Sequence, residues 1–86
     1  MARKIDAKNA NILGRIIRFH REAAGLSRIE LAALAGIGKT AIFDIEKGKA
    51  TVQLNTLLQL LDALNIAVHL DSPLMALFED SENAKS

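Results

Sequence analysis

Residues 26–49 read L-S-R-I-E-L-A-A-L-A-G-I-G-K-T-A-I-F-D-I-E-K-G-K. Within this run, Gly38-Lys39-Thr40 has the ending of a nucleotide-binding loop, G-x-x-x-x-G-K-[S/T], which follows a buried strand. Five positions before Gly38, where that pattern requires glycine, stands Ala33. The lead-in from Ile29 to Leu34 favours helix over a β-branched strand. Both requirements fail, so the lysine and threonine need another explanation. Ser27 and Glu30 have capping-box spacing, and Leu26 and Leu31 occupy the two places of a hydrophobic staple. A helix starting there runs only about eight residues, because Gly36 is the natural site for positive φ. After Gly36-Ile37-Gly38, a third helix is expected from about Lys39 to Lys47, stopped by Gly48, with Ala41, Ile42 and Ile45 inward.

Two short helices across a glycine turn form the geometry whose second helix enters the DNA major groove. Any helical bundle can contain such a turn. Here the small Ala32, the turn at Gly36 and the pair Ile42 and Ile45 all fall at mutually consistent places.

The flanking chain extends this all-α reading. Ile12, Leu13, Ile16, Ile17, Phe19 and Ala23 are read as the inward stripe of a first helix, from about Asn9 to Ala24, with Gly25 at its end. A fourth helix is expected from about Leu54 to Leu64, burying Leu54, Leu57, Leu58, Leu61 and Leu64, with Leu60 left for a subunit contact. Asn65 suits a left-handed helix end. Ile66 to Asp71 then alternates and reads as a lone strand. A lone strand leaves its backbone groups without partners, so antiparallel pairing with a second copy across a two-fold axis is the economical expectation. Pro73 ends it. Leu74, Met75, Leu77 and Phe78 suggest one or two helical turns, and the polar stretch from Glu79 to Ser86 is expected to be disordered. The expected organisation is a flexible basic arm at 1–8, one domain at 9–72, and a short apolar segment with an acidic tail at 73–86.

Composition narrows the function. The 86 residues hold three aromatics, all phenylalanine, and no cysteine, so disulfides and thiolate metal sites are excluded. His20 and His69 lie too far apart in sequence for metal-ligand spacing, and no cofactor is implied. Nor does any set of residues suggest a catalytic triad or a carboxylate pair, so an enzyme is not expected. Without a membrane-length apolar run or a secretory signal, a cytoplasmic protein with no membrane partner is expected. The net charge is only +1, but residues 1–50 carry ten Lys/Arg against five acids, and residues 51–86 one Lys against five. Such polarity suggests that one end meets a polyanion, but an ordinary solvated charged surface shows it too, and the asymmetry alone decides nothing.

The stretch from Leu26 to Lys49 resembles the core of the XRE (phage repressor and Cro-like) helix-turn-helix DNA-binding family, and the resemblance covers roughly residues 11–71. It implies a lambda-repressor-like bundle of four to five helices. It also implies that Gly38, Lys39, Thr40, Phe43, Asp44 and Lys47 belong to the recognition helix. Lys39 would donate to guanine, Phe43 would pack on a thymine methyl or stay half-buried against a loop, and Asp44 would accept from cytosine or pair with Lys39 or Lys47. Ser27 and Arg28 would grip backbone phosphates. Arg21 and Glu46 match a structural ion pair of the family. Two departures stand out: Gly38 replaces the usual Ser or Thr cap, and Val52-Gln53-Leu54-Asn55 replaces a Pro-Ser-x-Glu approach.

The passage from Leu57 to Leu70 resembles the end of HipB-type antitoxins of type II toxin–antitoxin systems. That implies a homodimer, with Leu60, Leu64, Ile66, Val68 and Leu70 at its interface, on a palindromic double-stranded operator. It further implies autoregulation of an operon with a HipA-like kinase toxin, in a bacterial cytoplasm and on the nucleoid when bound to DNA. A stand-alone XRE-type repressor or a restriction-modification controller is the runner-up. A protein-interaction module that has lost DNA binding is the reading from another class. The arm at 1–8 either reaches a minor groove or contacts nothing.

Overall fold

Helical structure begins after Asn9 in this computed structural model, which describes residues 3–85. The Asn9 side-chain oxygen accepts from the Ile12 N–H at 3.0 Å and so caps α1 (Ala10–Ala23). Residues 3–8 of the expected arm are exposed and outside any helix; Met1, Ala2 and the tail's Ser86 lie outside the described residues. Four further helices follow: α2 (Arg28–Ala35), α3 (Lys39–Glu46), α4 (Leu54–Ala63) and α5 (Met75–Lys85).

The core is small and aliphatic. Ile17 of α1, Leu31 and Ala32 of α2, Ile42 and Ile45 of α3, and Leu60 and Leu61 of α4 are buried together. α3 packs on both α1 and α2, and α2 also packs on α4. The turn from α2 to α3 works through Gly36, whose φ of 72° is the left-handed conformation expected there. It lets both the Gly36 and Ile37 N–H groups donate back to Ala32 O, at 2.9 and 3.1 Å. Ile37 then packs on the core.

Burial expectations on α1 and α4 are corrected. On α1 the buried line is Gly14, Ile17 and Arg21, and Phe19 and Ala23 face solvent. The cause is Gly14: a Cβ there would collide with Ile45 O and lie 2.8 Å from Glu46 O, so α1 and α3 touch backbone to backbone. That contact sets the rotation of α1, and Phe19, roughly 200° around the helix from Ile17, is turned outward.

On α4, Leu60 is fully buried rather than free for a subunit contact, while Leu54 and Leu58 are exposed. Leu57, Leu60, Leu61 and Leu64 form the i, i+3, i+4, i+7 stripe that meets the core. The leucine-rich sequence allowed two overlapping stripes, and the packing against α2 selected this one.

The strand expected over residues 66–71 is not formed, and no strand occurs among the described residues. Asn65 adopts the expected left-handed conformation with φ 58°, and the Ile66 N–H donates to Leu61 O at 2.9 Å. That closes the end of α4 and turns Ile66 onto the core. A ladder needs a neighbouring strand, and a single chain supplies none to residues 66–71. Val68 and Leu70 stay exposed.

The tail is also corrected, from a short apolar turn plus disorder to one helix reaching Lys85. No glycine or proline interrupts residues 74–85, and Glu82 approaches Lys85 at 3.7 Å one turn on. No residue of α5 is buried.

Candidate nucleic-acid interface

One buried carboxylate organises the outer face of α2 and α3. The side chain of Glu46, at the end of α3, is almost inaccessible. Arg21 of α1 reaches it with two nitrogens: Nε donates to Oε2 at 2.6 Å and Nη2 to Oε1 at 3.1 Å. Arg21 Nη1 donates to Leu26 O at 2.9 Å, so the same guanidinium also holds the loop before α2. The hydrogen bonds from Arg21 to Glu46 raise the guanidinium pKa, against the opposing effect of burial. Arg28 joins from the first turn of α2, its Nε donating to Glu46 Oε1 at 3.1 Å. One carboxylate thus ties together three helices. The expected Arg21–Glu46 contact is present; the second arginine on Glu46 was not foreseen.

The start of α2 is fixed by its own sequence. Ser27 Oγ accepts from the Glu30 N–H at 3.0 Å, and Glu30 Oε1 accepts from the Ser27 N–H at 2.8 Å. The bond from the Ser27 backbone holds the Glu30 carboxyl below its ordinary range. By contrast, α3 begins without a side-chain cap, because Gly38 has none to offer.

Lys39 and Thr40, in the first turn of α3, are exposed. With Ser27, Arg28, Phe43, Ile29 and the edge of Arg21 they line one open groove between the two helix starts. Five of the residues expected at the interface therefore meet in one place. Ile29 was not among them; its exposure at the second position of α2 was the overlooked signal. Lys47 joins through Phe43: its ammonium lies 5.2 Å from the ring centroid, and the Arg28 guanidinium lies 5.3 Å from it. Asp44 stands apart. Its partner is Lys49 beyond the helix, at 3.5 Å, and not Lys39 or Lys47 as expected. The face can hold anions with Arg28, Lys39 and Lys47, and can offer donors and a methyl group from Lys39 and Thr40 to base edges.

Of the five residues expected at a dimer interface, Leu60 is in the core, Leu64 and Ile66 are half-buried against it, and Val68 and Leu70 are free. Among the described residues no cluster of His, Asp or Glu could hold a metal ion, and no helix is long and apolar enough to cross a membrane.

Known proteins resemble this chain in sequence and in fold. A curated regulator of Sinorhizobium fredii, described as an uncharacterized HTH-type transcriptional regulator (y4mF), is 36% identical over 73 residues, covering 85% of this chain and 93% of that protein. Among solved structures, a HipB–O4 20mer complex superposes with a TM-score of 0.70 at 24% identity, covering 84% of this chain and 99% of that one. HipB in a HipA–HipB–O2–O3 complex gives 0.69 at 24% identity, with coverage of 84% and 99%. At that identity the likeness is one of fold. The helix-turn-helix family model HTH_3 matches residues 17–70, and the chain belongs to this XRE-type helix-turn-helix family of transcriptional regulators.

Proposed function

We propose that the protein is a sequence-specific operator-binding repressor and the antitoxin of a HipA-like kinase toxin, repressing its own operon together with that toxin. The observation that carries DNA binding is the outer face of α2 and α3. Lys39, Thr40, Ser27 and Arg28 line one groove there; the first three are exposed, and Arg28 gives only its Nε to Glu46. Lys39 and Thr40 read base edges from the start of the recognition helix, and Ser27, Arg28 and Lys47 hold the phosphate backbone. Binding takes place in the cytoplasm, where the operator is.

The functional unit is a symmetric dimer on a palindromic site, with two recognition helices about one DNA turn apart or a multiple of it. Its support is the distribution of exposed apolar side chains. Leu54, Leu58, Val68, Leu70, Leu74, Leu77 and Phe78 all lie within residues 54–78, beyond the basic half. The antitoxin assignment is supported by the fold likeness to HipB, which occurs in complexes with operator DNA and with HipA.

Fluorescence anisotropy on a duplex taken from immediately upstream of the reading frame tests DNA binding. Affinity is expected to fall about 10³-fold or more between about 50 and 200 mM salt if six or more phosphates are contacted. A flat salt response would count heavily against the reading. Alanine at both Lys39 and Thr40 is expected to abolish operator binding while leaving partner binding intact. The antitoxin role fails if a kinase-like protein encoded beside this gene does not co-purify with it.

A further inference from the structure

Phe43 has an unusual position for a base-reading side chain. It sits in the middle of α3 with two cations at its ring, the Arg28 guanidinium at 5.3 Å and the Lys47 ammonium at 5.2 Å from the centroid. Both lie within the range in which a ring quadrupole attracts a cation. Arg28 is held a second time, because its Nε donates to the buried Glu46 carboxylate. Among the described residues, its terminal nitrogens and the Lys47 ammonium meet no protein acceptor. Glu46 is shared between Arg21 and Arg28, and Asp44 is occupied by Lys49. The cluster of Arg21, Arg28, Lys47 and Glu46 therefore carries a net charge of +2. Like charges gathered at one ring repel, and an anion bridging them relieves that repulsion.

We infer that Phe43 is a positioning residue: its ring holds Arg28 and Lys47 with their donors free for phosphate oxygens of the DNA backbone, and it does not read a thymine methyl. The inference rests on the DNA-binding function proposed above and deepens it. Arg28 starts α2 and Lys47 follows α3, so the ring joins the two helices at the level of their charges, beside the groove lined by Lys39 and Thr40. Base reading falls to those two residues, and Phe43 acts on every sequence alike.

The experiment compares wild type, Phe43→Leu, Phe43→Tyr, the double variant Arg28→Ala/Lys47→Ala, and that double variant with Phe43→Leu added. The probes are the duplex from upstream of the gene and a random duplex of equal length, each titrated across salt. Phe43→Tyr keeps the ring and is expected to bind like wild type. Phe43→Leu is expected to bind both duplexes about tenfold more weakly, because Arg28 and Lys47, no longer held by the ring, must be ordered on binding. Its slope of log affinity against log salt should be shallower by about one to two, for one or two lost phosphate contacts. Added to the double variant, it should change nothing further. Phe43→Met, also without a ring, carries the same comparison if Phe43→Leu does not fold. An unchanged slope, with weakening confined to the upstream duplex, would overturn the inference and return Phe43 to base reading. If wild type binds neither duplex, the DNA-binding function itself falls.

Discussion

Gly14 decides more than any side chain of α1. Its missing Cβ leaves room for the carbonyl of Ile45, and the backbones of α1 and α3 meet there. Gly14→Ala is expected to force the two helices apart and to cost about 2 kcal/mol, read from urea denaturation, in the range of overpacking a well-filled core. Glu46 is the other decisive residue. It neutralises the guanidinium of Arg21, a residue only 8% exposed, so little solvent replaces the carboxylate if it is removed. Glu46→Gln should destabilise the domain by about 3 kcal/mol, because what remains is an uncompensated buried charge. If Glu46→Gln and an Arg21 variant both melted like wild type, the pair would be irrelevant to stability. Neither effect is visible in composition. A mid-helix glycine reads only as a local cost until the carbonyl facing it is known.

At the level of the elements, α2 and α3 start differently, and each start makes a prediction. The Glu30 carboxyl in the α2 capping box sits below its ordinary range because it accepts from the Ser27 N–H. A carboxyl with a lowered folded-state pKa stabilises the fold above its unfolded value and loses that contribution as pH falls through the folded value. The melting-temperature difference between wild type and Glu30→Gln should therefore be present at neutral pH and should shrink as the solution is acidified below the ordinary carboxylate range. A difference that is constant across that range would mean that the charge plays no part in the cap. α3 lacks any side-chain cap, and nothing stands within 4 Å of a side chain added at Gly38. The Gly38 backbone is extended, with φ −76° and ψ 147°, as an N-cap serine requires. Gly38→Ser is expected to raise stability by about 0.5 kcal/mol in thermal unfolding, from the new cap and a less flexible unfolded chain.

On the scale of the whole molecule, positive charge gathers in residues 1–50, and among the described residues seven of the twelve large exposed hydrophobics lie from Leu54 onward. The basic half carries the groove between α2 and α3, and residues 54–78 carry most of the large exposed aliphatic side chains. For so short a chain, burying that second surface in a dimer adds stability that its small core does not supply. Among the described residues Leu70 is the most exposed large hydrophobic, at 81%. Leu70→Lys is expected to shift the protein to a monomer in sedimentation equilibrium, with the helical circular-dichroism signal retained. A dimer as tight as the wild type's would remove Leu70 from the interface.

The sequence alone determined helices α1 to α4 and the turn between α2 and α3. The capping box at Ser27 and Glu30, the left-handed Gly36 and Asn65, and the aliphatic spacing of α2 and α3 are local signals, set by backbone sterics and by hydrogen bonds between residues a few positions apart. Partners distant in the chain were legible only where a family pattern supplied them, as for Arg21 and Glu46. Tertiary structure decided which leucines of α4 are buried, which way Phe19 faces, that Arg28 shares Glu46, and that Asp44 turns to Lys49. Those outcomes depend on how one helix is rotated against another. Helical periodicity permits several rotations, and only the close contact at Gly14 and the packing of α4 on α2 select among them.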